Sequence, residues 1–160
     1  MIKRFLIIVA GLLCSAHVFA TCGTEPLAHE DAFRLSAIPL DDRSVEVRIA
    51  IEPCYYLYQN KLKFTLTPAK LSEIALPVGT LKNDPYFGQT SVYYGKVSLV
   101  LPFEPQERGS SITLKAEYQG CAEAIGLCYP LSAQMLTFII PKTPIPGEEI
   151  FSREPKKRWF

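Results

Sequence analysis

The chain has 160 residues, with 17 Lys and Arg against 16 Asp and Glu and a formal net charge of +1. So even a balance argues against the basic patches that hold nucleic acid or an acidic membrane surface. The length suits one domain with a core of its own.

Residues 1–20 read as a signal peptide. Lys3 and Arg4 supply positive charge, and Phe5 to Cys14 is an apolar or small-residue run. Val18-Phe19-Ala20 places small residues at the third and first positions before a cut, completing the export layout. The run is too short to span a bilayer comfortably. Cleavage is expected after Ala20, which directs the chain to the periplasm. A lipidated Cys22 fits less well, because Phe19-Ala20-Thr21 lacks the usual Leu and the small residue before the cysteine. No later segment is apolar enough to cross a membrane.

Residues 21–141 read as one all-β domain. Ala32 to Pro39 alternates weakly, with Phe33, Leu35 and Ala37 on one face. Ser44 to Glu52 alternates cleanly, with Val45, Val47, Ile49 and Ile51 on one face. Tyr55 to Tyr58 is aromatic and strand-prone, and Leu62 to Leu66 repeats the period of two. Ser91 to Tyr94, Val97 to Phe103, Ser111 to Tyr118 and Ala133 to Ile140 complete the strands. Turn residues such as Asp41-Asp42, Pro68, Gly79, Gly95 and Gly109 separate them. Short alternating strands without a long helical period indicate a two-sheet sandwich, immunoglobulin-like in kind. Residues 142–160 form a Pro-rich basic C-terminal tail ending Lys156-Lys157-Arg158-Trp159-Phe160. A polar tail accounts for it better than a docking segment does.

Of the five cysteines, Cys14 leaves with the leader. An even number in an exported chain points to disulfides. Four cysteines allow three pairings. Nearness in sequence favours Cys121 with Cys128, which leaves Cys22 with Cys54. Six residues separate Cys121 from Cys128, and Gly120 and Gly126 give the backbone freedom to turn back. So small a ring stabilises only modestly through chain entropy. Spacing alone leaves a working bond and an inert staple level.

Tyr118-Gln119-Gly120-Cys121-Ala122-Glu123-Ala124, followed by Cys128-Tyr129-Pro130, resembles the active-site segment of the DsbD N-terminal periplasmic domain family. Tyr55-Tyr56-Leu57-Tyr58, Asp84-Pro85-Tyr86-Phe87-Gly88 and Asp31-Ala32-Phe33 are similar to that family's tyrosine strand, cap loop and opening strand. The resemblance runs from about Ala28 to Pro141. It implies an immunoglobulin-like protein thiol–disulfide oxidoreductase, monomeric and without cofactor. The partners it implies are a thioredoxin-like electron donor domain and a membrane electron-transfer protein on one side. On the other stand periplasmic thiol proteins, namely disulfide isomerases and cytochrome c maturation factors.

Carried over by position, Cys128 matches the attacking cysteine and Cys121 the resolving one. Tyr86 or Phe87 supplies an aromatic shield, Asp84 the nearby acid, and Tyr56 and Tyr58 the surroundings. For the tyrosines, core packing stands level with that role. The family has about five residues between its cysteines, a second Pro where Leu131 stands, and an acid where Pro85 stands. These departures bear on rate, potential and partner choice. The family also has Gly where Cys54 stands. A structural Cys22–Cys54 disulfide is expected there, closing a loop of about thirty residues that stabilises by roughly 3–4 kcal/mol. A second relay pair is the alternative. With neither a membrane module nor a thioredoxin-like domain in the sequence, a separate donor is expected.

Three other classes are weighed. A four-sulfur metal site is disfavoured, since there is no Cys-x-x-Cys pair and His29 and Met135 are the only such residues after the leader. No metal is therefore expected. A disulfide-stapled binding module without redox turnover is the alternative on composition. A hydrolase lacks its nucleophile–His constellation.

Overall fold

The computed structural model describes residues 22–143. The expected signal peptide at 1–20 and all but the first two residues of the expected tail lie outside the described residues. Among the described residues, no helix is long and apolar enough to cross a membrane.

One helical turn, α1 (His29–Ala32), precedes eleven strands. These are β1 (Phe33–Pro39), β2 (Ser44–Ile51), β3 (Tyr55–Tyr58), β4 (Lys63–Thr67), β5 (Thr80–Asp84) and β6 (Gly88–Tyr93). Then follow β7 (Lys96–Pro102), β8 (Ser111–Tyr118), β9 (Gly120–Ala122), β10 (Leu127–Cys128) and β11 (Ser132–Ile139). They pair antiparallel into sheets of order β1-β2-β7, β11-β8-β4 and β10-β9-β3-β6-β5, packed as a sandwich.

Alternation builds the core. Val45, Val47, Ile49 and Ile51 of β2 are buried while Arg48 between them is exposed. Ile112, Leu114, Ala116 and Tyr118 of β8 are buried in the same way. All of these but Ala116 belong to one cluster with Phe33, Leu99 and Leu101. Each such aliphatic side chain contributes about 1.5–3 kcal/mol by leaving water.

Strand β3 is buried on both sides. Tyr55 and Leu57 point into the main core. Tyr56 and Tyr58 point the other way, into a small second cluster with Val92, Cys121 and Cys128. The period of two in Tyr-Tyr-Leu-Tyr thus separates packing from chemistry. The expected strand from Ala32 begins one residue later, because Ala32 closes α1. The expected strand at Ser91–Tyr94 overlaps the second half of the longer β6, which ends at Tyr93.

Candidate thiol–disulfide site

Strands β9 and β10 form a tight hairpin that places Cys121 directly opposite Cys128. The two are bonded, with Cα atoms 4.0 Å apart. On its other edge β9 pairs with β3, so that Cys121 also faces Tyr56. Cys121 is therefore central in the sheet and only 1% exposed. Cys128, on the outer strand, is half-buried.

The two glycines serve different ends. Gly126 has φ +64° in the turn, a conformation that favours glycine. Gly120 is needed for space rather than for turning. A Cβ there would lie 2.6 Å from the Tyr56 carbonyl oxygen and would collide with the Phe33 ring.

Beneath the sulfurs lies a buried polar group of three residues. Asp84, the last residue of β5, is 5% exposed. Its Oδ2 accepts hydrogen bonds from Tyr56 Oη at 2.6 Å and Tyr58 Oη at 2.8 Å. Its Oδ1 accepts from the backbone amides of Tyr86 at 2.8 Å and Phe87 at 3.0 Å. Burial works against the charge, but these four donors outweigh it and hold the carboxyl below its ordinary value. The phenols respond in the opposite sense. Burial and the carboxylate push Tyr58 up to about 12, and Tyr56 is raised further.

Tyr58 joins this group to the sulfurs. Its Oη lies 3.2 Å from Cys121 Sγ and 3.7 Å from Cys128 Sγ. Above it, Phe87 packs edge-on against the Tyr58 ring, with centroids 5.0 Å apart. Tyr86 reaches from the same turn and donates to the Gly126 carbonyl at 3.1 Å. The turn at residues 85–87 is thus fixed at its base by Asp84 and touches the cysteine hairpin at its tip.

All the expected site residues on β3, at 84–87 and in the cysteine hairpin meet here. Sequence reasoning missed Lys82, Glu123 and Tyr94. Lys82 forms an ion pair with Glu123 in the cysteine hairpin and lies 4.7 Å from the Tyr56 ring centroid. Tyr94 Oη donates to Glu123 at 3.4 Å. No local motif marks these residues, because two separate hairpins bring them together.

Cys22 and Cys54 form a second bond, with Cα atoms 5.8 Å apart. The Cys54 carbonyl accepts a hydrogen bond from the Glu123 amide at 2.8 Å. With all four cysteines in two bonds, no group of three or more His, Cys, Asp or Glu is placed to hold a metal among the described residues.

Chemically, the site presents a disulfide between one buried and one half-buried cysteine, over a phenol hydrogen-bonded to a carboxylate. Residues 23–139 match the family described as thiol:disulfide interchange protein DsbD, N-terminal. The chain is 31% identical to DsbD of Actinobacillus pleuropneumoniae over 81% of this chain and 22% of that protein. It is 41% identical to DsbD 2 of Pseudomonas aeruginosa over 71% of this chain and 18% of that protein. The chain thus spans about a fifth of these relatives' length. Among solved structures, the reduced DsbD N-terminal domain of Neisseria meningitidis matches at 30% identity with a TM-score of 0.61. That match covers 71% of this chain and 94% of the other. The complex of the DsbD and PilB N-terminal domains from the same organism matches at 32% identity and 0.58, covering 73% and 90%. Homology and the Cys121–Cys128 bond together support a role in thiol–disulfide exchange. The match across nearly the whole sandwich, cysteine hairpin included, makes this chain a member of the DsbD N-terminal domain family.

Proposed function

We propose that the domain relays reducing equivalents from a thioredoxin-like donor domain, itself fed by a membrane electron-transfer protein, to periplasmic thiol proteins. Disulfide isomerases and cytochrome c maturation factors are the acceptors in this reading. The domain works as a monomer, spans residues 21–141, is exported by a leader cleaved after Ala20, and carries residues 142–160 as a tail.

The observation that carries the reading is the unequal burial of the two cysteines. Cys121 is 1% exposed and Cys128 half-buried, so an incoming nucleophile meets Cys128. The donor thiolate attacks Cys128 Sγ. The Cys121–Cys128 bond breaks and its electron pair leaves on Cys121, which then takes up a proton. The donor's second thiolate attacks its own sulfur in the mixed disulfide and releases Cys128, which is protonated in turn. The domain gains two electrons and two protons, and the donor closes its own disulfide. With an acceptor the steps run in reverse, with Cys128 as attacker and Cys121 resolving. Tyr58 Oη is within reach of Cys121 as it becomes a thiolate, and Phe87 with Tyr86 covers the pair until a partner displaces the turn.

The test is an equilibrium redox titration in glutathione buffers, with alkylation and mass mapping of each cysteine. Cys121 and Cys128 should titrate together, and Cys121→Ala should trap partners as mixed disulfides on Cys128. If all four cysteines resist reduction as far as about −300 mV, the region of structural disulfides, the pair is a staple. The binding-module reading then takes over.

A further inference from the structure

Cys128 lies between two unlike neighbours. Before it, residues 123–126 form an exposed turn and Leu127 pairs with Ala122 across the hairpin. After it, Tyr129 is held at every polar atom. Its amide donates to the Gly120 carbonyl at 3.0 Å. Its carbonyl accepts from Gln119 Nε2 at 3.0 Å. Its hydroxyl donates to the Leu27 carbonyl at 2.7 Å. The ring packs perpendicular to Phe33, with centroids 5.8 Å apart, and edge-on to His29 at 5.5 Å.

Leu27 belongs to the exposed segment between Cys22 and α1. Its carbonyl takes the Tyr129 hydroxyl, and its amide donates to Tyr55 Oη at 2.9 Å. Tyr55 directly follows Cys54, and Cys54 is bonded to Cys22. The segment is therefore a strap. It is bonded to the sandwich at Cys22, gripped at Leu27 by two tyrosine hydroxyls, and continuous with α1.

We infer that Tyr129 is a positioning residue for Cys128, and that the Cys22–Cys54 bond acts on Cys128 through it by holding the strap. The inference rests on the exchange reading above. Exchange needs the attacked sulfur in line with both the incoming and the leaving sulfur, and small displacements cost rate. Cys128 lies in a two-residue strand at the edge of its sheet, so its position depends on what holds the chain beyond it. Opening the Cys22–Cys54 bond frees the residues before Leu27, and the ordering of the strap is then opposed by chain entropy. The Tyr129 hydroxyl loses a fixed partner, and Cys128 loses part of the hold on its C-terminal side. A tyrosine serving only as core would need its ring and not its hydroxyl.

The test compares Tyr129→Phe, Cys22→Ser with Cys54→Ser, and all three substitutions together in the full chain. The readouts are the rate of reduction of Cys121–Cys128 by dithiothreitol and its potential in glutathione buffers. One neutral hydrogen bond corresponds to about a fivefold change. Reduction should therefore slow about fivefold in each variant. Ring closure should weaken by about the same factor, which moves the potential about 20 mV more positive at 29.6 mV per decade. The combined chain should lie within about twofold of either variant, because both act through one contact. Wild-type rate and potential in either variant, or fully multiplied effects in the combination, overturn the inference. So does lost stability with rate and potential unmoved. If the double serine chain does not fold, Tyr55→Phe loosens the same grip with both disulfides intact, and the same slowing is required of it. Failure of the exchange reading shows separately, as a wild-type pair that does not titrate.

Discussion

Tyr58 Oη sits 3.2 Å from Cys121 Sγ while giving its proton to Asp84. In the bonded state the sulfur has no hydrogen to offer, so the phenol proton is free to serve the carboxylate. Once Cys121 leaves as a thiolate, the same proton has a second charged acceptor. Tyr58→Phe removes that donor. Reduction should slow about five- to tenfold. The rate of dithiothreitol reduction measures it.

Asp84 should make stability depend on pH. Its carboxyl is held below the ordinary value in the folded chain, so the unfolded chain takes up the proton first as pH falls. The contribution is fully present above the unfolded value near 4 and is lost as pH drops through the folded one. Asp84→Asn keeps the shape but loses charge-assisted hydrogen bonds, at a cost of about 1.5–3 kcal/mol at pH 7. Urea unfolding from pH 7 to 3 should show the two chains converging at the acid end. A gap that stays constant across that range would argue against this account.

Gly120→Ala should lower stability by about 3 kcal/mol, the upper end for forcing an atom into a packed site. The collision is with the Phe33 ring and the backbone of β3. Gly126→Ala has open space around it but meets φ +64°, and should cost about 1 kcal/mol. Urea midpoints of the two variants rank the effects.

Phe87→Ala tests the shield. Phe87 is 45% exposed, so its loss should change stability by less than about 1 kcal/mol. Reaction of Cys128 with a small thiol should nevertheless speed up several-fold. Equal rates in both chains would show that Phe87 does not guard the pair.

The strands of the core were readable because each shows one apolar and one polar face, as β2 does from Val45 to Ile51. Strand β5 was not. Its Leu81 is exposed and only Asp84 is buried, so this edge strand has no apolar period to detect. Asp84 was expected in the cap loop and is instead the strand residue paired with Gly88, from which the turn departs. Helix α1 spans a single turn, too short for a helical period. The tyrosines of β3 carried a readable division, since alternation alone sends Tyr56 and Tyr58 to the face opposite Tyr55. The partnership of Lys82 with Glu123 depends on how two hairpins lie together, which no spacing within either hairpin encodes.

Cys54 has φ +70°, a left-handed conformation that costs an ordinary residue about 1–2 kcal/mol. A side chain is tolerable there only while it has a task that glycine cannot perform, and bonding Cys22 is such a task. The two cysteines therefore depend on one another. A lineage that lost Cys22 would gain by exchanging Cys54 for glycine, and one that kept Cys54 alone would carry backbone strain with nothing in return.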